Sequence, residues 1–508
     1  MTLCLVTGAT GYIGGRLVPR LLEAGHEVRC MARSPGRLRD HDWYGRVQLA
    51  EADATRREET RAALEGVEVA FYLIHTMASG RDFAEKDREA ARIFARAAAE
   101  AGVRRIVYLG GLSPGERPSP HMRSRAEVER ILLDSPVPAV AYRASMIIGS
   151  GSVSFEMLRY LTERLPAMTT PRWVRTRTQP IAIRDVLRYL VAAVGVPGEV
   201  NRAFDIGGPD VMTYADMMQG YAAVAGLPPR LIIPVAVLTP RLSSYWVGLV
   251  TPVPSGVARP LVESLRNEAV CREHDIARYV PDPPEGLIGF REAVMLALRR
   301  IKEADVVTRW SSASTPGAPS DPLPTDPDWA GGSLYVEERG AVVDAPPEAL
   351  WRVIEGIGGD NGWYSLPGAW RLRGLLDRVV GGVGLRRGRR DPARLRVGDA
   401  LDFWRVEEVQ PGRLLRLRAE MLLPGLAWLE LTCRREDGRT VYGQRAIFHP
   451  HGLLGHLYWQ ALRPFHGLIF GRMPGNVAEA ARALGSAETF SSRTGMTPGQ
   501  TAGEGRPS

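Results

Sequence analysis

Leu3-Cys4-Leu5-Val6-Thr7-Gly8-Ala9-Thr10-Gly11-Tyr12-Ile13-Gly14 is an apolar run that breaks into regularly spaced glycines. Leu3 to Thr7 predicts a buried strand, and the helical spacing from Ile13 to Ala24, closed by Gly25, predicts a helix after it. Between them Gly8, Gly11 and Gly14 form a GxxGxxG pattern. Glycine there lets the backbone turn tightly and approach a pyrophosphate, which then lies on the positive end of the helix. A glycine triplet alone is weak evidence. Set between a strand and a helix, it has the context a dinucleotide site requires. Gly8, Thr10, Gly11, Tyr12, Ile13 and Gly14 are therefore the first candidate binding residues.

The next strand, Val28 to Ala32, bears on which nicotinamide cofactor fits. An NAD enzyme usually carries an acid near the end of this strand for the ribose diol. This chain has Arg33 there instead, and a guanidinium can grip an additional 2′-phosphate with two parallel hydrogen bonds. NADP(H) is the preferred cofactor on this reading, with NAD(H) as the alternative. Asp53, where a third strand ends, either meets the adenine or caps the following helix.

Further along, Val67 to Ile74, Arg105 to Leu109 and Ala139 to Ile148 read as strands, and Ala84 to Ala101 as a helix. Strands alternating with helices of this length predict an α/β fold, a doubly wound parallel sheet covered on both faces. Residues 151–303 are mixed and rich in proline, and are expected to finish the sheet and cover its open end. The expected division is a dinucleotide-binding domain over 1–305, a Pro/Ser-rich linker over 306–332, a second domain over 333–486 and a disordered tail over 487–508.

The segments TGATGYIGG, EADATRRE, FYLIHTM, RRIVYLGGL, YRASMIIGSGS, QPIAIRDV and FDIGGPDVMTY follow one another in that order. In this the chain resembles the short-chain dehydrogenase/reductase superfamily, specifically its atypical NmrA-like branch, over about residues 1–300. The resemblance implies that Ile74 and His75 lie along the cofactor, and that Arg143 to Gly149, with Met146 between them, border the substrate pocket. It also implies that Asp185 belongs to a segment closing over that pocket. One departure is firm. Standard members use a Tyr-x-x-x-Lys pair, but the residues four before Lys86 and Lys302 are Asp82 and Leu298, so no such pair exists.

Near the expected place stand His121 and Arg125, four apart and thus on one helical face. Arg125 can hold the ribose. His121, with an ordinary pKa near ~6.5, is the candidate proton carrier at neutral pH. The serine expected after the fifth strand is replaced by Gly110 and Gly111. Glu127 and Glu129 are expected on the solvated face of the helix.

Beyond residue 333 the expected order is strand, helix, antiparallel meander and closing helix (Pro474 to Leu484). Leu415, Leu417 and Ala419 alternate with Arg416, Arg418 and Glu420, as in a half-buried strand. GGDNGWYSLPGAWRLRGLLD and DFWRVEEVQPGRLLRLRAEMLLPGLAWLEL resemble the uncharacterised SRPBCC-like domain fused to some bacterial reductases, which implies an α+β helix-grip (START-like) fold. Trp351, Trp363, Trp370, Trp404, Trp428 and Trp459 either line a ligand cavity there or form core. The arginine-rich loop 371–396 is read as solvated, with an acidic ligand as the rival. His449, His451, His456 and His466 are not completed by a cysteine or acid at ligand spacing, so no metal is expected.

The composition, 45% hydrophobic and 24% charged over 508 residues, is that of a globular chain. The net charge of +8 comes almost wholly from arginine, since Lys86 and Lys302 are the only lysines among 65 basic residues. The arginines are interleaved with 57 acidic residues, so nucleic acid is not expected as a partner; a small-molecule substrate is. Cys4, Cys30, Cys271 and Cys433 form no disulfide pattern. The N-terminus lacks the features of a signal peptide, and the apolar run Leu231 to Leu238 falls short of the ~20 residues that span a bilayer. A cytoplasmic protein is expected, its oligomeric state open, a homodimer included. The functional expectation is an NADP(H)-dependent oxidoreductase acting on a small apolar substrate. A redox-sensing NADP(H)-binding protein and a small-molecule or lipid carrier with a structural nucleotide are its rivals.

Overall fold

The computed structural model describes residues 1–74, 83–112, 118–235, 250–253, 261–302, 333–359, 362–364, 394–421 and 423–494. His75, the linker and most of the arginine-rich loop lie outside these residues. The chain divides into two compact units, Met1–Gly332 and Ser333–Ser508.

The first unit is built on strands β1 (Leu3–Thr7), β2 (Glu27–Ala32), β3 (Gln48–Glu51), β4 (Val69–Tyr72), β5 (Arg105–Gly111), β6 (Ala139–Ala144) and β7 (Arg202–Ile206). They form one parallel sheet in the order β7-β6-β5-β4-β1-β2-β3, a Rossmann-like arrangement whose strand order reverses between β1 and β4. Among the described residues its longer helices are α1 (Tyr12–Glu23), α2 (Arg57–Leu64), α3 (Phe83–Glu100), α4 (Pro120–Leu133), α5 (Val153–Arg164), α6 (Ile183–Ala192), α7 (Tyr214–Ala225) and α8 (Phe290–Lys302).

Successive residues of a strand face opposite sides of the sheet, and the two cores follow that alternation. Cys4, Val6, Val28, Cys30, Phe71, Val107 and Tyr142 pack with residues of α1 and α6 on one face. Leu5, Met31, Ala70, Tyr72, Ile106, Tyr108 and Ala141 pack with residues of α2, α3 and α4 on the other. A third core joins α5, α7 and α8 through Phe155, Leu158, Met217, Tyr221 and Val294.

Ala139 to Ile148 is not one strand. After Ala144 the chain leaves the sheet, and Ile147–Ile148 pairs instead with Ile181–Ala182. The Ser145 hydroxyl donates to the Gln179 carbonyl, and Ile181 N donates to the Met146 carbonyl at 3.0 Å. These bonds draw the chain toward the third core.

The second unit has β8 (Tyr335–Val343), α9 (Pro347–Glu355), β9 (Ala400–Leu401), β10 (Trp404–Gln410), β11 (Leu414–Ala419), β12 (Gly425–Glu436), β13 (Arg439–Pro450), α10 (Gly452–Gly471) and α11 (Met473–Thr494). Its sheet is antiparallel, in the order β8-β13-β12-β11-β10-β9. Leu415 and Leu417 face the core beside Trp351, Trp363 and Trp404. Those three tryptophans are thus core side chains, Trp428 and Trp459 are also buried, and Trp370 lies outside the described residues. Arg416 is buried too, held by Glu430 at 2.9 Å and Glu408 at 2.7 Å, so the simple in-out alternation gives way to ion pairing. The closing helix runs on to Thr494, past the Leu484 expected from sequence. Among the described residues no helix is long and apolar enough to cross a membrane.

Candidate cofactor and substrate site

A cavity of about 1540 Å³ opens at the carboxyl edge of the sheet. Open parallel sheets bind ligands at this edge, where the strand order reverses. Each loop that leaves β1 to β6 lends it residues: Gly8 to Gly14, then Arg33 and Ser34, Asp53, Leu73 and Ile74, Leu112, and Ser145 to Ile147.

The turn after β1 explains its own composition. Gly8 has φ +68°, and a Cβ on it would lie 2.9 Å from the Leu73 carbonyl oxygen. A Cβ on Gly14 would overlap the Gly8 carbonyl group. Thr7 Oγ1 donates to the Phe71 carbonyl at 3.0 Å and accepts from Leu73 N at 2.9 Å, tying the ends of β1 and β4 together. No side chain caps the N-terminus of α1 at Gly11. The first amides of that helix are thus left for an anion.

Past β2, Arg33 and Arg37 are exposed and both line the cavity. Asp53 Oδ1 accepts from Thr55 N at 2.9 Å and Thr55 Oγ1 at 2.8 Å, forming a local turn rather than the cap of α2. Those bonds, led by the one to the Thr55 amide, hold its carboxyl below the usual range.

Ser119 starts α4 by accepting from Met122 N at 3.3 Å, with Pro120 in the first turn. His121 and Arg125 then both reach the cavity. Arg125 Nη2 donates to the Leu109 carbonyl at 2.9 Å, and its Nε is buried without a hydrogen-bond partner. His121 is 5% exposed. Burial, with the Arg125 cation adding to it, pushes its imidazole down to about 3. At neutral pH the ring is therefore neutral and is not the imidazolium acid that its ordinary pKa had implied. Where the family has a serine, a Cβ on Gly111 would come within 2.7 Å of Met122 Cε, so the methionine occupies that space.

Ile74 and Met146 line the cavity, but among its described lining residues Arg143 and Gly149 do not appear. Arg143 turns away to bind Glu129, with Nε 2.9 Å from Oε2 and Nη2 2.5 Å from Oε1, and lies 3.8 Å from Asp205. Glu129 is consequently buried and not on a solvated face. Gly149 packs against Tyr12 and Ile183, where a Cβ would collide with both. Asp185 accepts from Ile288 N at 2.9 Å, a structural tie outside the lining. The sequence reading missed Arg37, Lys86 and the apolar wall made by Met157, Leu161, Trp173, Tyr214 and Met218. For Arg37 the available signal was its place one tight turn after Arg33.

All four cysteines are free, and burial pushes the Cys4, Cys30 and Cys271 thiols up to about 12. No group of three potential metal ligands occurs among the described residues. His456 Nδ1 is 2.9 Å from the Tyr335 hydroxyl.

A parallel sheet of this order, with a glycine turn leading into a helix beside its switch point, defines a dinucleotide-binding protein. Residues 8–146 match the NAD(P)H-binding domain family, and residues 329–473 match a family described as a protein of unknown function, DUF2867. Over 233 residues the chain is 31% identical to (4-alkanoyl-5-oxo-2,5-dihydrofuran-3-yl)methyl phosphate reductase of Streptomyces griseus, covering 44% of this chain and 75% of that protein. It is 25% identical over 223 residues to an Arabidopsis thaliana mitochondrial protein, NADH dehydrogenase [ubiquinone] 1 alpha subcomplex subunit 9, covering 42% of this chain and 56% of that one. Triphenylmethane reductase of Citrobacter sp. is 18% identical with a TM-score of 0.48, covering 59% of this chain and 100% of that structure. The chain belongs to the NAD(P)H-binding, reductase-like family.

Proposed function

We propose that the first unit binds NADP(H) and passes a hydride to or from a small apolar molecule seated beside it. The observation that carries this reading is one cavity running from the Gly8–Gly14 turn to the apolar residues of α5 and α7. The residues present fit the cofactor: Gly14 admits no Cβ, α1 has no side-chain cap, and Arg125 Nε is a buried donor without a partner. Gly8, Thr10, Gly11, Tyr12, Ile13 and Gly14 would hold the pyrophosphate, Arg33 and Arg37 the 2′-phosphate, and Asp53 the adenosine side. Ile74 and Arg125 would hold the nicotinamide half. When bound, the nicotinamide supplies or accepts the hydride.

The chain's own part is to orient and to exclude water. The neutral His121 ring, with Met122 and Met146, packs the reacting end of the cavity. The proton is then exchanged with water or with the substrate itself. The relative from Streptomyces is likewise named a reductase. A second reading, an NADP(H)-binding redox sensor without turnover, is favoured by the missing Tyr-Lys pair together with the neutral His121.

For the second unit the proposed reading is a helix-grip fold that supplies or gates an apolar ligand. Its support is the antiparallel sheet with α9 after the first strand and α11 packed on α9 and β8. The test of the whole reading is calorimetric titration of the full chain with NADPH, NADP⁺, NADH and NAD⁺. A preference for the phosphorylated pair above ~1.4 kcal/mol, at least tenfold, is expected. Absence of binding by all four would overturn it.

A further inference from the structure

We infer that α10 seats the second unit on the surface of an anionic lipid bilayer, with the helix lying in the plane of the headgroups. This is independent of the nucleotide site and gives a partner to a face that the proposed function does not use.

One side of α10 belongs to the protein. Trp459 and Phe470 are buried, and Trp459 stacks on Tyr335 and Phe448 with ring centroids 5.2 Å and 5.6 Å apart. Gly455 lies against Pro424 and Pro450, where a Cβ would collide with both. The opposite side faces outward. Leu453, Leu454 and Leu457 are 38%, 73% and 56% exposed. Gln460, Ala461 and Arg463 are the other exposed side chains described on this helix. Steps of three, four and seven residues put the three leucines, Gln460 and Ala461 on one face. A single exposed leucine needs no account, but three on adjoining turns form a patch. A helix apolar toward the outside as well as toward its core calls for an apolar medium there.

The charges around the patch identify that medium. From Gly438 to Ala478 the chain contains no aspartate or glutamate. Arg463 is exposed in the second half of α10 and Arg472 directly after it. The Arg339 guanidinium stands beside the last turn, 3.5 Å from where a Cβ on Gly471 would lie, and Glu337 accepts from it at 2.6 Å. Leucines rimmed by arginines, with no acid among them, are complementary to an anionic membrane surface: headgroups meet the guanidinium groups while the leucines enter the acyl boundary. A second copy of the chain fits less well. Three partly exposed leucines offer a few hundred Å² at most, against the ~800 Å² per partner of a stable protein interface. No helix among the described residues is long and apolar enough to cross a bilayer, and the place inferred for α10 is on one, not through it.

The experiment is co-sedimentation of the full chain with sucrose-loaded vesicles, either phosphatidylcholine alone or phosphatidylcholine with about one third phosphatidylglycerol. The mixed vesicles should carry the protein down, and pure phosphatidylcholine should bind it at least about tenfold more weakly. Added salt should weaken binding to the mixed vesicles. Leu454→Gln combined with Leu457→Gln removes apolar surface at two exposed positions. It should cut binding to the mixed vesicles at least about tenfold, with the melting temperature unchanged. Arg463→Gln should cut it about fivefold, the effect of one basic residue at an anionic surface. This second variant keeps the test decisive even if the first lowers the melting temperature. No binding to either vesicle, equal binding to both, or binding indifferent to these substitutions would overturn the inference. So would a dimer in sedimentation equilibrium that the leucine substitutions abolish, since the face would then belong to a second copy.

Discussion

Arg125 Nη2 donates to the carbonyl of Leu109 at 2.9 Å, and this bond pins a guanidinium at the carboxyl edge of β5. The partnerless Nε on the same side chain is held in place by that bond. Arg125→Met keeps much of the stem and removes the charge. NADPH affinity should fall about tenfold, as for loss of a charge-assisted hydrogen bond, with the melting temperature nearly unchanged. Titration calorimetry and a thermal scan measure both. An unaltered Kd would remove Arg125 from the cofactor site.

Arg33 and Arg37 lie on the same side of the cavity, beyond β2. Reversing either charge, by Arg33→Glu or Arg37→Glu, should reduce NADPH binding at least tenfold while changing NADH binding little. Equal losses for both nucleotides would sink the assignment of the 2′-phosphate to this pair.

Gly14→Ala places a methyl group against the Gly8 carbonyl, which is backbone and has little freedom to yield. The expected cost is about 1–3 kcal/mol of stability, the range for overpacking, together with loss of nucleotide binding. Denaturant unfolding and calorimetry test it. Gly25→Ala is the control: its φ of +82° is strained, but a Cβ there meets nothing within 4 Å, so nucleotide affinity should persist.

His121 should make folding sensitive to mild acid. Its pKa falls from the ordinary ~6.5 to about 3 on folding, so between these values the unfolded chain binds the extra proton. Its contribution is present above ~6.5 and is lost as pH falls toward 3, amounting to about 2 kcal/mol between pH 7.5 and 5.0. His121→Asn should flatten the pH dependence of urea unfolding over that interval. Identical slopes in the two proteins would mean that the ring is not held neutral.

Where local pattern determines structure, the sequence was readable. Strand alternation, helical period and glycine spacing placed Gly8 to Gly14, Arg33 and Asp53 at the ends of β1, β2 and β3, and the four-residue spacing put His121 and Arg125 on one face. What could not be read depends on partners far along the chain. Arg143 leaves the pocket because Glu129 offers two carboxylate oxygens on α4. Asp185 is committed to the backbone of Ile288, more than a hundred residues away. The strand expected to reach Ile148 ends at Ala144, because its continuation finds Ile181–Ala182 as a pairing partner. Trp173 and Thr178 stand only five residues apart, but Tyr214 begins α7 well beyond them, and neither stretch announces that the three share one wall.

The departure of the chain from the sheet after Ala144 has a consequence for how this molecule can be altered. The residues that pack the nucleotide half and those behind Met157, Leu161 and Met218 belong to separate cores. Neighbours in one packed cluster couple energetically, whereas distant sites add nearly independently. The choice of what is bound beside the cofactor can therefore drift, or be redesigned, by trading bulky side chains in α5 and α7, while the grip on the nucleotide is inherited intact.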